Sequence, residues 1–318
     1  MSARAALPMR GVARGDAGVV SDPSEADLAQ ALSAAYRARV NAETVRRVEG
    51  PDFKEAVADA TLKFTAPLPD GGRGFVLMAG RGNPDLMDRA VASIVAVRAN
   101  TDWRTGSAVL APEHAGRCRG RSYAIWRRLR PFDDMGRIPR KLHQMARRSA
   151  VLAWSEDLTA QTRGLAHPDR VAADLARVAD DPKFPDGMRF AARRAQGRLD
   201  RGWRPVHATQ HGDFWTGNLL IGGEGPQPFS VIDWAGMRTD AYPFYDLVRM
   251  TRSMGMGSEA RAKALESLRR RIGCGAADVP GYLLAGLGMI GRDLEHFPVD
   301  RYRAMAVAAF AAVDGYAC

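Results

Sequence analysis

The chain has 318 residues, 46% of them apolar, only three cysteines and a formal net charge of +10. That length and apolar content allow two domains with a sizeable core and exclude wholesale disorder. Cys118, Cys274 and Cys318 are far apart and form no CxxC pair, which argues against a disulfide framework or structural zinc and makes a reducing cytosol the expected setting. The longest charge-free apolar runs, 282–290 and 304–313, are shorter than the roughly 18 residues of a membrane-spanning helix. Five lysines leave 41 of the 46 basic residues as arginine, scattered along the chain, so nucleic acid is not an expected partner.

Residues 1–24 are basic without an apolar core and read as a mobile tail. Residues 25–40 carry apolar positions three and four apart, the spacing of a helix, with Ser24 as its N-cap. Strand character follows at 43–48, 56–64 and 74–79, the last two flanking the turn Pro69-Asp70-Gly71-Gly72. Residues 83–97 read as a helix with Pro84 in its first turn, followed by strand-like runs at 107–111 and 121–126. Beyond residue 127 helical spacing dominates, at 138–158, 168–179, 186–202, 243–253, 258–271, 279–292 and 300–313. One short β island, 207–233, interrupts it. The predicted fold is α+β and bilobal: a small antiparallel-sheet lobe over 25–126 and a larger, mainly helical lobe over 127–318.

The chemistry concentrates in that island. Leu219–Ile221 and Phe229–Ile232 are apolar strands separated by the loop material Gly222-Gly223-Glu224-Gly225-Pro226-Gln227-Pro228. If they fold about Gly225/Pro226, residue i faces residue 451 − i, so Asn218 opposes Asp233, with Cβ atoms about 5 Å apart. A carboxylate and an amide oxygen then meet at the open end of the hairpin, a hard-oxygen pair suited to Mg²⁺. Asp213 can approach the same point across the Gly217 loop, so that two carboxylates and an amide converge, of which one can act as general base while the others hold metal. Individually, Asp213 and Asn218 are common turn formers and Asp233 a common strand terminator. Their value lies in the spacing of the whole set.

The string His211-Gly212-Asp213-Phe214-Trp215-Thr216-Gly217-Asn218, followed by Val231-Ile232-Asp233-Trp234, resembles the aminoglycoside phosphotransferase/choline kinase family, which has the protein-kinase-like fold. Asp240-Ala241-Tyr242-Pro243-Phe244-Tyr245-Asp246-Leu247 looks like that family's Asp-Pro-x-x-Asp-Leu segment, with two residues inserted before the proline. The resemblance implies ATP and Mg²⁺ as cofactors and a small-molecule hydroxyl as phosphoryl acceptor. Asp213 would be the catalytic carboxylate, Asn218 and Asp233 the magnesium ligands, and His211 and Asp246 the supports of the catalytic loop. The backbone at Trp126, Arg127, Arg128 and Leu129 would be the hinge that meets adenine.

The small lobe departs from this pattern. A kinase-like third strand carries a lysine for the α/β-phosphates; here the run Phe75-Val76-Leu77-Met78 has methionine at the expected place. The next helix offers Asp88, Arg89 and Ala90 where a glutamate is expected, and Gly50-Pro51-Asp52-Phe53 is no glycine-rich phosphate loop. Three readings stay open. Lys63 on the neighbouring strand contacts phosphate, Arg89 reaches in from the helix, or the protein is a pseudokinase-like binding module with little or no transfer activity. With its net positive charge, the expected acceptor is a neutral or anionic hydroxylated molecule rather than a polycationic aminoglycoside.

Overall fold

The computed structural model describes residues 22–48, 61–132, 134, 137–223, 225–294 and 297–313. The expected tail, apart from its last residues, and the 50–53 hairpin lie outside them. Helix α1 (Glu25–Tyr36) opens with a reciprocal cap: the Asp27 amide donates to Ser24 Oγ (3.2 Å) while Asp27 Oδ2 accepts from the Ser24 amide (2.8 Å). It ends where Arg37 turns left-handed. The 43–48 segment begins in a 3₁₀ turn (Ala42–Thr44) capped by Asn41, and only Arg46–Arg47 pairs as strand β1. Strands β2 (Thr61–Pro67) and β3 (Arg73–Ala79) form the expected hairpin, and β3 feeds helix α2 (Leu86–Ala99). The short helix α3 (Trp103–Gly106) follows. The strand expected at 107–111 is instead a connector with a single parallel bridge, Val109 to Val231. Strands β4 (His114–Cys118) and β5 (Arg121–Arg127) complete a five-stranded sheet of order β1-β2-β3-β5-β4.

The alternation along these strands sorts two faces. Leu62, Phe64, Val76, Met78, Tyr123 and Ile125 form one core with Leu28 and Leu32 of α1. Burying Leu32 against them is worth roughly 2 kcal/mol. The opposite face carries Leu77 and Trp126, which pack with Ala79, Met87 and Ala90, and with Ala235 from the large lobe. This face, not the one bearing Met78, looks toward the site. The position read as the missing lysine was therefore misplaced by one residue: Met78 is fully buried under α1, and Leu77 is the third-strand residue on the inner face. A one-residue error of this kind moves a side chain to the other face of a sheet.

The large lobe begins with β6 (Arg130–Pro131), then the long helix α4 (Arg137–Gln161), β7 (Gly164–Leu165), α5 (Pro168–Ala179) and α6 (Asp186–Asp200). The β island contributes β8 (Val206–Gln210), β9 (Leu219–Ile221) and β10 (Phe229–Val231). A fourth strand, β11 (Arg238–Ala241), pairs with β8; its polar sequence, Arg-Thr-Asp-Ala, gave no strand signal. Helices α7 (Tyr245–Ser253), α8 (Ser258–Ile272), α9 (Asp278–Arg292) and α10 (Val299–Phe310) close the lobe, all within a few residues of expectation. Trp154 of α4 is the keystone: its ring lies 5.4 Å from Phe214, 6.0 Å from Phe229 and 6.3 Å from Trp234, and its indole N–H donates to the Thr105 carbonyl. One buried aromatic cluster thus holds the segments on which Asp213 and Asp233 lie.

Candidate active site

The segment that carries the His-Gly-Asp string runs from β8 through a loop and a 3₁₀ turn (Thr216–Asn218) into β9. Its first turn requires glycine. Gly212 has φ +83°, and a Cβ there would sit 2.8 Å from the Gly236 carbonyl oxygen. Asp246, buried at the start of α7, accepts the amides of His211 (2.6 Å) and Gly212 (3.1 Å). His211 is equally buried. Its Nε2 lies 2.7 Å from the Ile232 carbonyl and its Nδ1 lies 3.2 Å from the Asp213 amide, which assigns the proton to Nε2. One ring thereby ties the Asp213 loop to the residue before Asp233.

Burial lowers the His211 pKa to about 4 and raises that of Asp246 to about 7. The two have opposite consequences. In the unfolded chain His211 takes up a proton below about pH 6.5, so its share of stability is full above that pH and is lost as pH falls toward 4. Asp246 stays protonated in the fold up to about pH 7, so its share is full below pH 4 and is lost as pH rises through 7. The windows overlap and largely cancel. Asp246→Asn is therefore expected to unmask His211, with urea-unfolding stability dropping by about 3 kcal/mol more than the parent's between pH 6.5 and 4. Parallel pH profiles for variant and parent would refute this assignment.

Asn218 is buried, and its Nδ2 donates both to the Asp213 carbonyl (2.8 Å) and to Asp213 Oδ2 (3.1 Å). With both amide hydrogens committed, Oδ1 is the Asn218 side-chain atom that could serve as a metal ligand. The hairpin register differs by one from expectation. Ile221 pairs with Phe229 and Leu219 with Val231, and the Ile232 amide donates to the Asn218 carbonyl (3.1 Å). Asp233 is thus one residue past direct opposition to Asn218. The loop fixes the parity, its closing Gly222–Pro228 bond being in step with the strands, and a turn centre guessed from composition does not. Asp233 is exposed and left-handed (φ 66°), so strand alternation no longer dictates where it points.

These residues fit a magnesium–nucleotide rather than a fully protein-bound ion. Among the described residues no three His, Cys, Asp or Glu side chains group as a metal site. Mg²⁺ characteristically takes one or two protein oxygens and completes its shell with phosphate and water. Asn218 and Asp233 supply oxygens of that type.

Two contacts at Asp213 were not read from the sequence. Trp215 donates its indole N–H to Asp213 Oδ2 (3.2 Å), and its ring packs over Gly217, where a Cβ would come within 2.3 Å of it. Arg249 of α7 forms an ion pair with Asp213 Oδ1. The available signal was its spacing: Arg249 is one turn after Asp246, so the helix that braces the loop also presents a cation to it.

The small-lobe candidates separate. Lys63 is exposed and directly opposite Leu77, on the inner face. Arg89 is exposed on α2, and its neighbour Ala90, not Arg89, packs with Leu77. The inner face therefore meets α2 through apolar contact where an ion pair was expected. At the lobe junction, Trp126 donates to the Leu110 carbonyl (3.2 Å) and Arg127 is held by Asp70 (2.7 Å) and Glu113 (2.9 Å). The Arg128 amide donates to Arg73, and β6, just after Leu129, pairs with β9. The 126–131 link thus joins the sheet to the β9–β10 hairpin.

A sheet of order β1-β2-β3-β5-β4 with a helix after β3, set on a helical lobe that carries the His-Gly-Asp loop, defines a bilobal protein-kinase-like fold. Residues 120–282, just over half of the chain, match the family described as "Phosphotransferase enzyme family" (APH), and the chain belongs to that family. Among solved structures, the macrolide 2'-phosphotransferase MphH from Brachybacterium faecium aligns with TM-score 0.53 at 19% identity over 91% of this chain and 98% of its own. A structure titled "Macrolide 2'-phosphotransferase type I" aligns with TM-score 0.51 at 16% identity over 92% and 99%. At such identities the likeness is one of fold. No curated protein sequence matches the chain.

Proposed function

We propose that the protein is an ATP- and Mg²⁺-dependent phosphotransferase that moves the γ-phosphoryl group to a hydroxyl of a small molecule. The observation that carries this reading is the Asp213–Asn218 contact in a loop braced by Asp246 and His211. Asp213 orients the acceptor hydroxyl and receives its proton. Asn218 and Asp233 would hold the metal, which when bound neutralises phosphate charge. Such a reaction asks the protein mainly for positioning and charge, not covalent chemistry.

Adenine is assigned to the apolar inner face of Leu77 and Trp126 and to the backbone of Trp126–Leu129. Lys63 is assigned to the outer phosphates; of the two small-lobe cations considered, it is the one placed opposite Leu77. The acceptor would be neutral or anionic, because a cation, Arg249, already stands at Asp213. The fold's similarity to macrolide 2'-phosphotransferases supports a hydroxylated small molecule as acceptor.

The apolar packing of Leu77 against the cluster that includes Ala90 favours one second reading, a nucleotide-binding module without transfer. Acceptor-free ATP hydrolysis separates the two. The phosphotransferase reading expects slow Mg²⁺-dependent turnover that is lost in Asp213→Asn; a parent that binds ATP without hydrolysing it would support the module instead, and one that does neither would remove both.

A further inference from the structure

We propose that Arg249 is a catalytic residue: the guanidinium that contacts the transferring phosphoryl group. The proposal rests on the phosphotransferase reading above and assigns to that site a cation the motif does not include.

Arg249 is underused in the structure. A guanidinium has five N–H donors. One nitrogen pairs with Asp213 Oδ1, another meets the weak acceptor Met305 Sδ at 3.7 Å, the Tyr245 hydroxyl lies against the same guanidinium, and Nε is buried with no hydrogen-bond partner among the described residues. A half-buried arginine with donors to spare, beside the carboxylate at the transfer point, is built to receive a further anion. Its position is also fixed. Asp246, on the preceding turn of α7, is bonded to the amides of His211 and Gly212, so the helix cannot slide relative to the loop.

The need for such a cation follows from the rest of the site. The third strand offers Leu77, and α2 offers Ala90, where the fold would ordinarily place an ion pair. Lys63 stands on the sheet, remote in sequence and element from the Asp213 loop. In the transfer step the bond from phosphorus to the acceptor oxygen forms as the bond to the ADP oxygen breaks. That bonding pair leaves with ADP, and the acceptor proton passes to Asp213. Negative charge is spread over the three equatorial oxygens throughout. Asp213 already accepts from Arg249, Asn218 and Trp215, so its carboxylate is held in place to orient the acceptor hydroxyl. Stabilisation then falls to a fixed cation at those oxygens, and Arg249 is so placed.

The test uses aluminium fluoride with ADP and Mg²⁺, a mimic of the planar transferring group, on the full chain by calorimetric titration. The parent is expected to bind ADP more tightly when fluoroaluminate is present. Arg249→Met should retain ADP·Mg²⁺ affinity within about twofold but lose roughly 10- to 100-fold of the fluoroaluminate increment, the value of a charged hydrogen bond. Arg249→Lys preserves charge without the fork and should keep part of it, which covers the case of a poorly folded methionine variant. A merely structural arginine would weaken both complexes equally. Equal loss, an undiminished increment in both variants, or no increment in a parent that binds ADP would each overturn the proposal. A parent that binds no ADP at all would instead overturn the phosphotransferase reading beneath it.

Discussion

Asp213→Asn is expected to reduce phosphoryl transfer about 100- to 10,000-fold while nucleotide affinity stays within a few-fold. The argument is geometric. Asp213 is surrounded by donors: Arg249 on Oδ1, and the Trp215 indole and the Asn218 amide on Oδ2. An asparagine must turn its own NH₂ toward at least one of them, so the orienting function is lost along with the charge. Nothing in the lobe junction or on the inner face of the sheet depends on Asp213, so nucleotide binding should persist. Turnover measured beside a nucleotide titration decides the matter. Full activity in the asparagine variant would remove Asp213 from the chemistry.

The largest loss of stability is expected at the crossing of α5 and α9. Asp174 is fully buried and receives the Tyr242 hydroxyl (2.8 Å) and an Arg292 nitrogen (3.0 Å), with Arg170 Nε at 4.0 Å. Burial alone pushes its carboxyl pKa up, and the arginines and tyrosine oppose that shift. The helices touch here so closely that a Cβ on Gly288 would fall 1.8 Å from the Asp174 carbonyl oxygen, which leaves no room for water to replace a lost side chain. Asp174→Ala strands the buried Tyr242 hydroxyl and removes the inner partner of Arg292, which keeps Asp293, at a cost of roughly 2–3 kcal/mol. Urea unfolding at neutral pH measures it directly, and a loss below about 1 kcal/mol would contradict the assignment.

The lobe order, nearly all the helices and the segment that forms the His211–Asn218 loop were legible in the sequence, because each rests on local signals. Helical spacing marks α4 to α10, and the His211-Gly212-Asp213 string is contiguous. What the sequence left obscure depends on tertiary placement. Alternation along β3 separates Met78 from Leu77 but does not say which faces the site. The docking of α1 decides that, by burying Met78 with Leu28 and Leu32. The hairpin's parity depended on a loop whose internal bonding is not written in its glycines, so Asn218 and Asp233 came out directly opposed when they are offset by one. β11 is held by pairing with β8, not by its own residues. Arg249 became visible only when α7 was seen packed beneath the Asp213 loop.

The central claim is that Asn218 and Asp233 form the protein's share of a magnesium–nucleotide site served by Asp213. Calorimetric titration with a non-hydrolysable ATP analogue, with and without Mg²⁺, on the parent and on Asp233→Asn tests it most directly. The account predicts binding by the parent that depends on Mg²⁺ and falls at least tenfold in the variant. Binding indifferent to both the metal and the substitution would contradict it.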